Sequence, residues 1–190
     1  MAGAGLERHG VCPVLGLADY AARLPRALRR SLSRGHRALA SARIVAWHCA
    51  DDSSIDGLLS ALFELHTALW NARGAPGVLG EPDVQSFHRE AAPRLLRAGL
   101  LRLFVLELEG SPVGALYVLH GRDAYLYASG YRPELGHLGI GNLLIEHALA
   151  DACTAGKRRC DFLRGFEAYK YAWGAKDEIT ERISIRKAAA

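Results

Sequence analysis

The chain has 190 residues, half of them hydrophobic, with a formal net charge of +4 and a pI near 9.0. That is enough for one domain with a full core. The mild basicity admits an anionic ligand but does not call for nucleic acid. The opening MAGAGLERHG lacks the basic and apolar regions of a signal peptide, and no apolar run reaches the roughly 18 residues of a membrane span. The four cysteines, Cys12, Cys49, Cys153 and Cys160, form no CxxC pair and lie near no histidines at metal-ligand spacing. They are expected to be free thiols, buried or partly buried, in a reducing compartment, with no metal bound and a cytoplasmic location.

Residues 1–18 read as irregular, with VCPVLGL the one apolar piece. From Asp19 to about residue 41 a helix is expected, with Leu24, Leu28 and Leu32 on one face and Arg23, Arg26, Arg30, Arg34 and Arg37 on a broad face away from it. Pro25 fits its first turns or kinks it. ARIVAWHC, 42–49, reads as a strand, and DDSS supplies caps for a helix over 55–72 marked by Leu58, Leu59, Leu62, Leu65 and Leu69. After a Gly/Pro loop, Pro82 opens a helix that Gly99 ends.

Three strand-like runs follow, LLRLFVLELEG, SPVGALYVLHG and RDAYLYASGY, joined by tight turns into an antiparallel meander. A helix over 139–155 and a strand in KRRCDFL complete a right-handed βαβ crossover with parallel strands. EAYKYAWG is a short helix or turn, and EITERISI a last strand. The fold class is α/β: a mixed central sheet with a meander, then a βαβ unit, and flanking helices. A single domain is expected over 19–187, after an N-terminal segment at 1–18.

Two stretches carry candidate chemistry. SGYRPELGHLGIGN, 129–142, ends a strand, passes through glycines and opens a helix. Glycines let a ligand approach the backbone, and a helix N-terminus suits a phosphate, although a flexible loop would look the same. His137 lies within this loop and is a candidate cofactor contact. His66 and His88, inside helices, and His120, at a strand end, read as structural. DFLRGFEAYKYAWG, 161–174, leaves the crossover strand where α/β sheets bind ligands, and would ring that crevice with Asp161, Arg164, Glu167, Tyr169 and Lys170. Asp161 or Glu167 could take a proton, Lys170 could stabilise an oxyanion, and Tyr169 or Tyr171 could act as an acid. A salt-bridged turn is the alternative. On this reading K170M lowers turnover without unfolding the protein. The arginine-faced helix is either a solvated face or a surface for an anionic partner.

DFLRGFEAYKYAWGA resembles the DFLRGxExYKxxWG signature of the CelD-type acetyltransferase branch of the GCN5-related N-acetyltransferase (GNAT) superfamily, related to the FemABX peptidoglycan transferases. CPVLGL, LFELHTALWNARGAPG and YLYASGYRPE agree in character, so the resemblance covers roughly residues 11–186. The chain departs from it at Gly136, where a glutamine or arginine is usual, at Ile140 and at Phe166. The resemblance implies a GNAT fold and an N-acyltransferase. Acetyl-CoA or another acyl-CoA would donate to a small-molecule or glycan amine by direct attack, without membrane insertion. Its pyrophosphate would rest on Gly139, Ile140, Gly141 and Asn142, and its pantetheine arm along Ala128, Ser129 and Gly130. Arg164, Tyr171 and Trp173 would meet the acceptor. Two alternatives stay open: transfer from aminoacyl-tRNA, the one reading that brings in nucleic acid, and a catalytically inactive scaffold.

Overall fold

The computed structural model describes residues 4–42 and 44–185. Arg43 of the expected second strand and the expected domain end at 187 lie outside them. The strands are β1 (Ala4–Gly16), β2 (Val45–Cys49), β3 (Leu101–Leu108), β4 (Ser111–His120), β5 (Ala124–Tyr131), β6 (Arg159–Asp161) and β7 (Lys176–Ile185). The helices are α1 (Arg26–Ser41), α2 (Ile55–Asn71), α3 (Pro82–Arg97), α4 (Ile140–Thr154) and α5 (Ala168–Ala172). One mixed sheet runs β2-β3-β4-β5-β6-β1-β7.

The meander forms because β3 and β4 are apolar on both faces. Phe104, Leu106, Leu116 and Val118 pack toward α1 and α4, whereas Leu103, Val105, Ala115 and Tyr117 pack toward α2 and α3. A strand buried on both sides reads as a continuous hydrophobic run. The turn between β3 and β4 places Glu109 and Gly110 at positive φ, 51° and 75°, as a two-residue hairpin requires.

The first eighteen residues depart from expectation, because β1 is a 13-residue strand. From Ala4 to Val14 it pairs with β7 in an antiparallel ribbon, with an irregularity between Arg8 and Gly10. Cys12, Pro13, Val14 and Leu15 alone among its described side chains are buried. A ribbon that buries little needs no apolar alternation, and a proline within it argues against a strand. The helix expected from Asp19 is in fact two pieces, a 3₁₀ turn at Tyr20–Arg23 and then α1. Pro25 caps α1 from outside, and Leu24 before it is extended with ψ 132°. Leu24, Leu28 and Leu32 are buried as their spacing predicts. All four cysteines are free; Cys12 and Cys160 are buried, Cys49 and Cys153 exposed.

Two features of β5 position the site. Tyr117 pairs with Ala128 but Val118 with Leu126, so Tyr127 is an extra residue, a β-bulge. At Gly130 the backbone of α2 crosses so closely that a Cβ would lie 2.2 Å from the amide nitrogen of His66. No flexible side chain can give way there. G130A should therefore destabilise the fold by at least about 2 kcal/mol, at the upper end of overpacking costs, read as a lowered urea midpoint. An unchanged midpoint would show that α2 can back away.

Candidate active site

The parallel strands β5 and β6 pair at two positions, Ala124 with Cys160 and Tyr125 with Asp161, and then part. What ends the pairing is local. The amide of Phe162 donates to the carbonyl of Pro13 on β1, Leu163 adopts φ 58°, and its amide donates to Asp161 Oδ1 at 2.7 Å. The chain thus turns away while β5 runs on to Tyr131. Arg132 donates its amide to Val113 of β4. The alternation of an antiparallel ladder then turns Ala128 and Gly130 toward β4 and the backbone of Ser129 toward the opening.

The N-terminus of α4 lies at the end of β5. Gly139 caps it with φ 78°, and the amides of Asn142 and Leu143 fold back onto the Gly139 carbonyl. The first amides of the helix, at Ile140 and Gly141, precede any intrahelical acceptor. Missing side chains open this turn to its neighbours. A Cβ on Gly139 would sit 3.0 Å from Ser31 Oγ of α1, and one on Gly141 3.1 Å from the Tyr131 ring. Asn142 Nδ2 donates to Ser31 Oγ at 3.0 Å. His137 is exposed, and its Nδ1 meets the Glu134 carbonyl at 2.8 Å.

Beyond β6, Lys170 organises the loop. It is 2% exposed, and its Nζ donates to the carbonyls of Leu163 at 3.0 Å and Arg164 at 2.9 Å, while Glu167 Oε2 lies 2.9 Å away. Its protons are therefore committed to the loop that carries the other candidates. Glu167 is held below the usual carboxylate range: partial burial pushes it up, but Lys170 outweighs that. Burial pushes the Asp161 carboxyl up, against the pull of the Leu163 amide. Tyr169 stands edge-on to Phe162 at the outer face of α5, and desolvation and Glu167 push its phenol to about 12, so it keeps its proton.

The expected acceptor contacts point elsewhere. Arg164 reaches back over Gly10 to His9 Nε2 at 3.2 Å, and Tyr171 donates to Asp177 of β7 at 2.8 Å. Trp173, expected at the wall of the site, belongs to the core at 2% exposure. One helical turn separates it from Lys170, and both face inward. Phe166, by contrast, is 70% exposed.

On the sheet face covered by α2 and α3, two buried histidines meet β5. His66 is 4% exposed, and its Nδ1 lies 2.9 Å from the Ser129 carbonyl. A carbonyl can only accept, so Nδ1 carries the proton and Nε2 the lone pair. His88 Nε2 lies 3.2 Å from the hydroxyl of Tyr127, the bulged residue, whose ring packs against Tyr117. Trp70 packs beside His66, and Arg73 lies over the Trp70 ring at 5.5 Å. The sequence signal for these was polar residues on the inner face of apolar helices.

The profile of the acetyltransferase (GNAT) domain matches residues 26–171. The chain belongs to this GNAT family. No curated protein sequence matches it. Among solved structures, FemX superposes with a TM-score of 0.71 at 11% identity, over 92% of this chain and 61% of FemX. L-PGS from Bacillus licheniformis gives 0.64 at 12% identity, over 99% of this chain and 63% of that one. A predicted acetyltransferase from Clostridium acetobutylicum, with acetyl-CoA, gives 0.52 at 14% identity, over 67% and 86%. At these identities the likeness shows the fold. The GNAT chain spans about three-fifths of the length of FemX and L-PGS. Among the described residues no group of histidines, cysteines or carboxylates could hold a metal, and no helix is long and apolar enough to cross a membrane.

Two stability predictions follow from the site. K170M should lower stability by roughly 2–3 kcal/mol, because it leaves buried carbonyls without their donor, and chemical denaturation measures this. Lost turnover at unchanged stability would restore the electrostatic role expected from the sequence. The second concerns pH. Burial lowers the pKa of His66, His88, His120 and His147. A depressed histidine pKa means that the unfolded chain binds more protons, so the stability is complete above the unfolded value of about 6.5 and is lost as pH falls toward the folded values. Asp161 has the opposite sign, but it is one group against these histidines. The urea midpoint should therefore be lower at pH 5.5 than at pH 7.5; a flat profile would contradict the burial of these rings.

Proposed function

We propose that this GNAT domain transfers an acyl group, acetyl in the simplest case, from acyl-CoA to an amine such as an amino sugar or small amine. The observation that carries the reading is the parting of β5 and β6 after Tyr125, directly beside the N-terminus of α4. A donor arm laid in that opening would run past Ser129, with its pyrophosphate on the amides of Ile140 and Gly141. The glycines of this turn let Tyr131 and Ser31 pack close to it, and Ser31 and Asn142 add polar groups there. The amine nitrogen attacks the thioester carbonyl, the C–N bond forms and the C–S bond breaks, with no covalent enzyme intermediate. The fold contributes by holding both reactants in the opening. Tyr169, which keeps its proton at neutral pH, would act as the acid for the departing thiolate. Lys170 acts by positioning the loop that bears it. A role in polysaccharide or cell-envelope metabolism fits this acceptor class.

The second reading, transfer from aminoacyl-tRNA, draws on α1. Arg26, Arg29, Arg30, Arg34 and Arg37 line a concave space of about 550 Å³, and among the described residues none of them has an ion pair. RNA bound there would show a steep fall in affinity with salt.

Thermal denaturation with acetyl-CoA tests the first reading. At a hundred times its dissociation constant a ligand of the native state adds about 2.7 kcal/mol, a clear rise in Tm. No shift with acetyl-CoA or longer acyl-CoAs, together with salt-sensitive RNA binding, would replace the first reading with the second.

A further inference from the structure

We infer that Arg164 and Arg182, which converge on His9, form a binding site for one oxyanionic group, a phosphate or a carboxylate, on the ribbon of β1 and β7. The ribbon prepares the site. Arg8 pairs with Glu181 and Gly10 with Thr180, so His9 is an extra residue, a β-bulge that leaves the ladder's alternation. Its Nε2 meets Arg164 Nη1 at 3.2 Å and Arg182 Nη2 at 3.3 Å. A guanidinium can only donate, so two cations share one imidazole lone pair.

Arg164 is held at this point by the loop after β6. The buried Lys170 donates to its backbone carbonyl at 2.9 Å. Its side chain crosses β1 at Gly10, where a Cβ would lie 3.0 Å from Arg164 Cδ. Gly10 is fixed in turn from β7, since the Thr180 hydroxyl donates to its carbonyl at 3.2 Å. The loop conformation imposed by Asp161 and Lys170 therefore delivers a guanidinium to a fixed place on the ribbon. That place lies beyond the C-terminal end of β6, because β1 runs antiparallel to β6 and pairs with it only from Val14 onward.

The positive charge gathered here exceeds its partners. Arg182 has one carboxylate, that of Glu7 directly across the ladder, at 3.5 Å. Arg164 is exposed and has no ion pair among the described residues. Two like charges drawn to one lone pair repel, and an anion between them turns that repulsion into attraction. Carboxylate and phosphate oxygens match the planar fork of a guanidinium, and their hydrogen bonds to it are charge-assisted. An oxyanion would take the place of the His9 nitrogen between the two forks. The arginines of α1 lack this arrangement, since among the described residues no side chain draws two of them to one atom.

Side-chain ¹⁵N NMR of the wild-type protein, titrated with inorganic phosphate and with acetate, tests the site. The signals of Arg164 and Arg182 should shift together and saturate, ahead of those of the α1 arginines. Equal, unsaturated shifts of all arginines overturn the proposal, and so does a response confined to α1. R164Q and R182Q should each weaken phosphate binding at least about tenfold, since hydrogen bonds between charged groups are among the strongest. A variant that keeps the wild-type Tm and binds phosphate as well as the wild type also overturns it. Phosphoethanolamine and ethanolamine then identify the source of the anion. Tighter binding of phosphoethanolamine than of phosphate makes the group part of an amine ligand, and equal affinity makes it a free anion; both outcomes keep the two arginines as its site. Ethanolamine alone should leave both signals unmoved, and a saturating shift with it would contradict an oxyanion site. None of these titrations depends on turnover, so they judge the site whether or not acetyl-CoA is the donor.

Discussion

Everything in this molecule's candidate chemistry depends on two parallel strands that stop pairing. After Tyr125 and Asp161, β5 continues with one edge free of a β6 partner, while the following chain is bound to β1 through the Pro13 carbonyl. An unpaired edge inside a sheet is normally costly, since each backbone group must find a partner. Here the edge is answered on one side by a side chain, His66, which takes the Ser129 carbonyl. The same contact that satisfies the strand therefore places an imidazole at the opening. The rest is support. The bulge at Tyr127 and the close crossing at Gly130 hold α2 against the strand, and α1 and α4 hold the far face.

The loop after β6 shows how strongly burial decides a residue's role. A lysine at the rim of a crevice looks like an electrostatic catalyst. Lys170 instead has an acceptor for each of its three protons, two carbonyls and a carboxylate, at 3.0 Å or less. A buried ammonium is tolerable only when it is so partnered. Once its donors are committed, it shapes the turn and leaves Tyr169 outward. The signature DFLRGFEAYKYAWG is therefore largely a device for one loop conformation, with Asp161 fixing its start, Lys170 its middle and Trp173 its anchorage in the core.

The meander, the crossover and the ends of α3 and α4 were legible in the sequence because each rests on local rules: apolar runs for doubly buried strands, Pro82 and Gly99 at the ends of a helix, and Gly139 and Gly156 around α4. The strand β1 was not, because its partner β7 lies more than 150 residues away and its ribbon has little apolar pattern. The brevity of β6 was hidden for a similar reason: KRRCDFL has the composition of a longer strand, and only the Pro13 carbonyl and the φ of Leu163 end it. Near the site, the glycine turn ahead of α4 could be read directly. The partners of His66 and His88 could not, since the periodicity of a buried histidine says nothing of what its ring nitrogens meet.

What these buried rings share is incomplete hydrogen bonding. A neutral imidazole has one donor and one acceptor. His66 donates to Ser129 and leaves Nε2 beneath Gly77 and Trp70, and His88 meets Tyr127 and leaves Nδ1 without a partner among the described residues. His120 Nε2 lies 3.6 Å from Asp151, beyond hydrogen-bond distance. An unpaired buried nitrogen is less costly on a neutral ring than on an imidazolium, which is why burial lowers the pKa of all three histidines.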